Sequence, residues 1–135
     1  TLCDEVLAKA DIQTYPYSFG QIMVLKGLNL MRLVKEGKIS TEKVKESLND
    51  ALGYYENALI AFPQNANLSK FVDIQTKIAE VYVELSKKER KVDNIKKALS
   101  IIHDLEIIYS ENNMEKDKKF AVIQELKKQI KNKHS

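Results

Sequence analysis

The fold of this chain is decided by one stretch, Ala51-Leu-Gly-Tyr-Tyr-Glu-Asn-Ala58-Leu-Ile-Ala-Phe-Pro63. Its apolar side chains recur every three or four residues, which is the spacing of one face of an α-helix. Small and aromatic side chains alternate at Ala51, Tyr55 and Ala58, and Pro63 ends the run. The stretch therefore predicts an amphipathic helix that packs against other helices.

The composition favours one all-α domain. The chain has 135 residues, of which 44% are hydrophobic and 30% charged, with only 4 Gly and 2 Pro to interrupt helices. This length is enough for one domain with its own core, so we predict a single domain spanning residues 1–135. Because Thr1 falls inside a helical pattern, we expect this domain to be a segment of a longer protein.

Helical spacing predicts about six helices. They cover approximately residues 1–14, 19–36, 40–62, 67–88, 92–109 and 114–131. The second is apolar on nearly all sides between Ile22 and Val34, so we expect it to be the most buried. We also expect Ser18 to cap its start, Gly37 to cap its end, and Gly27 to lie at a close helix crossing.

A pair of helices occurs twice. The second helix of the pair has the same spacing of residues in two places, 47 residues apart: Ala51, Tyr55, Ala58, Pro63 and Ala98, Ile102, Leu105, Ser110. In the first helix, Gly27 with Leu30 matches Ala79 with Tyr82. This pattern resembles the tetratricopeptide repeat family, although the usual period is about 34 residues and the second copy lacks the proline. The resemblance implies stacked antiparallel helical hairpins over most of the chain.

The resemblance also implies a concave groove that binds a peptide or a partner helix. Counting from the matched small residues places these side chains in it: Gln21, Val24, Leu28, Met31, Arg32, Asp73, Thr76, Glu80, Val83 and Glu84. Apolar anchors beside acidic residues favour a protein or peptide partner with basic residues. Ordinary solvent exposure or packing within the chain would also account for these positions.

Two other helical functions remain open. The chain could be a three-helix bundle of the trafficking type that binds short helical peptides, or a domain that packs against another subunit. Nucleic-acid binding by the lysine-rich C-terminal segment is disfavoured, because Glu115, Asp117 and Glu125 interrupt the lysines and no exposed aromatic residue is expected among them. The sequence leaves the oligomeric state open.

No catalytic or metal-binding pattern stands out. His103 and Glu106 could share a metal but are too few ligands, and Cys3 has no neighbouring histidine. We therefore predict no enzymatic activity, no cofactor and no metal. The single cysteine gives no support for disulfides, and no apolar run is long enough to cross a membrane. We expect no membrane partner and an intracellular, cytoplasmic location.

Overall fold

All regular structure that the computed structural model describes is helical, which confirms the predicted all-α class. The described residues are 15–89 and 92–134, without the side chains of 89 and 132–134. The helices are α1 (Pro16–Lys35), α2 (Thr41–Ala61), α3 (Leu68–Glu89), α4 (Val92–Glu111) and α5 (Lys118–His134). These five match the second to sixth predicted helices, whereas the predicted helix at residues 1–14 lies outside the described residues.

The chain divides into two compact units, and the boundary falls between Ile74 and Gln75, inside α3. The first unit contains α1, α2 and the beginning of α3. The second contains the rest of α3 together with α4 and α5. The single domain that the sequence predicts stays a prediction.

In the first unit, α1 and α2 pack as an antiparallel hairpin with two glycines at their interface. A Cβ atom added at Gly27 would lie 2.7 Å from Cζ and 2.9 Å from Cδ1 of Tyr55. One added at Gly20 would lie 2.7 Å from Cζ of Phe62. Such separations are shorter than van der Waals contact allows, so only glycine lets the backbone of α1 approach these rings. This confirms the predicted crossing at Gly27 and adds a second one at Gly20.

The helix ends follow local chemistry, with one correction to the sequence analysis. Ser18 lies inside α1, because Pro16 occupies the first helical position, where a fixed φ and a missing N–H suit the helix start. Gly37, with a φ of 71°, ends α1 as predicted. The amides of Gly37 and Lys38 donate to the carbonyls of Val34 and Leu33, which satisfies groups that the helix leaves open.

The most buried helix is α3 and not α1, so that expectation was wrong. Along α3, two opposite sides are buried: Val72, Thr76, Ala79, Val83 and Ser86 on one, and Ile74, Ile78, Val81 and Leu85 on the other. In α1 one face is buried, while Ile22, Leu25 and Leu28 are exposed. Apolar content alone therefore did not indicate which helix has buried residues on two sides.

In the second unit, α4 and α5 also form an antiparallel hairpin. The rings of Tyr109 and Phe120 lie 5.4 Å apart near the turn. Further along, Glu106 accepts a hydrogen bond of 2.8 Å from Nε2 of Gln124 and one of 3.1 Å from Nζ of Lys127. The turn contains Asn113, whose φ of 55° is left-handed, a conformation that asparagine tolerates better than most residues. This hairpin thus combines an aromatic contact with a charged, hydrogen-bonded one.

Candidate binding surface on helix α1

The two faces of α1 differ sharply in burial. The buried residues share the face that meets α2: Phe19, Gly20, Met23, Gly27 and Met31. Leu25 lies between Met23 and Gly27 in sequence, two residues from each. Two residues correspond to about 200° around a helix, so Leu25 points roughly 160° away from both neighbours. The close packing of one face of α1 therefore directs Leu25 away from α2.

Three apolar side chains on α1 form what we call the apolar row: Ile22, Leu25 and Leu28. They are 48%, 64% and 40% exposed, respectively. Successive members lie about 60° apart around the helix axis, so the row covers roughly one third of the circumference. Single exposed apolar residues are common, but several adjacent ones on one element mark interaction surfaces. The apolar row is therefore the candidate binding surface of the first unit.

The polar residues beside the apolar row include amides and cations. Arg32 lies seven residues after Leu25, nearly in line with it along the helix. Its Nη2 donates a hydrogen bond of 2.8 Å to Oδ1 of Asn29. On the other side of the row, Nζ of Lys26 lies 5.6 Å from the centre of the Tyr54 ring. The sequence of α1 holds no Asp or Glu, so the charged side chains of the helix itself are all cations.

The groove residues predicted on α1 divide into exposed and buried ones. Leu28 and Arg32 are exposed, and Gln21 and Val24 are half-buried. Met31 is 5% exposed and lies on the packed face with Gly27, so its side chain is not available to a partner in this structure. The prediction for Met31 is therefore corrected, because its position follows the face that packs against α2. The other four stay predictions.

The groove residues predicted on α3 divide in the same way. Thr76 and Val83 lie on one of the two buried sides of α3. The prediction that they line a binding surface is therefore corrected. Asp73, Glu80 and Glu84 form a half-buried polar row on the same helix. Glu84 accepts a hydrogen bond of 2.9 Å from Nζ of Lys87. Asp73 and Glu80 each take part in an interaction within the chain as well.

Sequence reasoning missed Ile22 and Leu25, the two most exposed members of the apolar row. A signal for them was present in Gly20 and Gly27, which are seven residues apart and therefore lie on one side of a helix. If both glycines mark the packed face, Leu25 must lie opposite to it. The predicted surface was counted from the family pattern and from Gly27 alone. It therefore lies closer to the packed face of α1 than the apolar row does.

Residues 15–89 and 92–134 contain no group of three or more His, Cys, Asp or Glu side chains placed to bind a metal ion. His103 is exposed on α4, and Cys3 lies outside the described residues. Among the helices described, none combines the length and the apolar character that crossing a membrane requires. The predicted cytoplasmic location stays a prediction.

The lysine-rich helix α5 is partly engaged in its own hairpin. Lys127 contacts Glu106 of α4, together with Gln124. The hydrogen bond from Gln124, followed by that from Lys127, holds the pKa of Glu106 below its usual value, and partial burial opposes this only in part. Glu106 therefore stays ionised at neutral pH and keeps Lys127 at the interface of α4 and α5.

Comparison of the chain with protein-family models, with curated proteins and with solved structures found no significant match. The resemblance to tetratricopeptide repeats stays a prediction.

Proposed function

We propose that this chain is a protein–protein interaction module that receives a partner helix or peptide on the apolar row of α1. The observation that carries the proposal is the exposure of Leu25, at 64%, on the side of α1 opposite to a tightly packed interface. Covering a half-exposed leucine or isoleucine contributes roughly 1 kcal/mol, so the whole row contributes about 3 kcal/mol.

That contribution is smaller than the cost of association, which is about 4–15 kcal/mol. A partner must therefore also use polar groups beside the row. Gln21, Asn29 and Arg32 supply such groups on the same face, between and beside the apolar side chains. The mixture of apolar anchors and hydrogen-bonding groups is typical of a protein interface.

The proposal includes the architecture of stacked helical hairpins. Support comes from burial at the aligned positions of the internal repeat. Six residues of the two copies are almost completely buried: Ala51, Tyr55, Ala58, Ala98, Ile102 and Leu105. The two alternatives that the sequence leaves open are the trafficking-type bundle and the subunit-packing domain. Both would also bind a partner on an exposed apolar face, so the following experiment applies to them as well.

A library of helical peptides displayed on phage tests the proposal. We expect enrichment on the wild-type chain and none on Leu25→Asp. Ile60→Asp is the matched control, because Ile60 of α2 is 62% exposed but stands beside Glu56 and Asn57 instead of other apolar residues. Circular dichroism should show equal helix content in all three proteins, and Leu25→Ser serves as a milder second variant. Equal enrichment on wild type and Leu25→Asp, or none on wild type, would reject the proposed function.

A further inference from the structure

We infer that the partner of the apolar row is an amphipathic helix with carboxylates along its flank, instead of the basic peptide that the sequence predicts. This inference rests on the proposed function and names the chemistry of its partner. It follows from the charges on α1, from the engagement of the acids on α3, and from the composition of the face itself.

The charges on α1 are of one sign. Within the helix the charged residues are Lys26, Arg32 and Lys35, and Lys35 has an interaction of its own within the chain. The nearest acid, Glu36, follows the helix and pairs with Lys38 at 3.3 Å. The described contacts of Lys26 and Arg32 are with the Tyr54 ring and the Asn29 amide oxygen, neither of which carries a negative charge. A partner with basic flanks would meet repulsion from these cations, whereas carboxylates would be attracted to them.

The acids of α3 that favour a basic partner in the sequence are less available in the structure. Glu84 pairs with Lys87, and Asp73 and Glu80 have interactions of their own within the chain. All three are half-buried. A basic peptide would have to compete with these contacts. The carboxylates of α3 therefore give a weaker argument for a basic partner than the cations of α1 give for an acidic one.

The geometry of Arg32 specifies where an acid on the partner should lie. Arg32 follows Leu25 by two helical turns, or about 10 Å along the axis. One of its five N–H groups donates to Asn29, which leaves enough donors for a paired contact with a carboxylate. A helical partner lying along α1 would thus place an Asp or Glu about seven residues from the apolar side chain that covers Leu25.

Two other occupants fit the face less well. A second copy of the chain, meeting α1 with its own α1, would bring cations against cations. An anionic membrane would attract the cations but would have to bury Gln21 and Asn29 among the apolar side chains. Gln21 donates to the Tyr17 hydroxyl and Asn29 accepts from Arg32, but each amide has further polar atoms, which are costly to bury in hydrocarbon without additional hydrogen bonds. A protein helix can offer hydrogen bonds to both amides.

The test uses a displayed library of helical peptides with a fixed apolar stripe and randomised flanking positions. We expect peptides enriched through Leu25 to be acidic and to carry Asp or Glu seven residues from the central apolar anchor. Their affinity should fall about tenfold on Arg32→Glu and should decrease as salt is raised. The control Lys43→Glu changes an exposed cation on α2 and should have little effect.

Each other outcome decides between the two proposals. Enrichment that depends on Leu25 but selects neutral or basic flanks overturns this inference and leaves the proposed function standing. If no peptide is enriched in a way that depends on Leu25, the proposed function itself is rejected. Two further results would also overturn the inference, provided that the acidic peptides do not bind. One is binding to phosphatidylserine vesicles that Leu25→Asp abolishes, and the other is dimerisation in sedimentation velocity that the same variant abolishes.

Discussion

Replacing Gly27 by alanine should destabilise the chain, although alanine is the better helix former. In the middle of a helix, alanine gains about 1 kcal/mol over glycine. At Gly27 the added methyl group would meet the buried ring of Tyr55, at 2.7 Å from Cζ and 2.9 Å from Cδ1. Overpacking a core commonly costs about 1–3 kcal/mol, so we expect a net loss of roughly 1 kcal/mol.

Gly53→Ala is the matched control. Gly53 lies within α2, and a Cβ added there would have no neighbour within 4 Å. The same substitution should therefore stabilise the chain by up to about 1 kcal/mol. Because the helix-propensity gain is common to both variants, their difference isolates the steric cost at Tyr55. We expect that difference to be about 1–3 kcal/mol.

Urea unfolding followed by circular dichroism measures both free energies of unfolding. The slopes with denaturant should be equal, so that the change in midpoint reports stability alone. If Gly27→Ala and Gly53→Ala stabilise the chain equally, α1 does not approach Tyr55 closely. The orientation assigned to the apolar row would then lose its main support.

Two further predictions concern the core and pH. Ala58 is completely buried, so Ala58→Leu should lower the free energy of unfolding by about 1–3 kcal/mol in the same urea experiment; an unchanged midpoint would place Ala58 at the surface. Glu106→Gln should lower stability at pH 7 by up to about 1 kcal/mol, since the pair with Lys127 is partly exposed. The folded pKa of Glu106 is lowered, so its contribution is present above the unfolded value of about 4.3 and is lost as the pH falls through the folded pKa. A difference between wild type and Glu106→Gln that persists at pH 2 would contradict this assignment.

Much of the fold could be predicted from spacing alone. The apolar period and the few Gly and Pro residues gave the order of the described helices, and Gly37 gave the end of α1. Ser18 was misassigned as a cap because α1 begins two residues earlier, at Pro16. A proline at the first helical position fixes φ at a helical value and lacks only an N–H that would be unpaired anyway.

The candidate site was predicted less well, for a physical reason. Periodicity shows which residues are apolar, but not which apolar face another helix covers. In α1 nearly every side is apolar, so Leu25 and Met31 look alike in sequence, yet one is exposed and the other buried. In α3 the three acids Asp73, Glu80 and Glu84 indicate a solvent-exposed side. The helix is nevertheless buried on two other sides, which the acids gave no reason to expect.

The two glycines of α1 also determine how α1 and α2 align lengthwise. Gly20 faces Phe62 and Gly27 faces Tyr55, so both pairs are separated by seven residues on each helix. A slip of one turn would bring the two rings against side chains in place of bare backbone. Sliding α1 by one turn along α2 to adapt to a partner would therefore overpack the interface, which is costly. A ligand of the apolar row thus meets a helix whose axial position the two glycines favour.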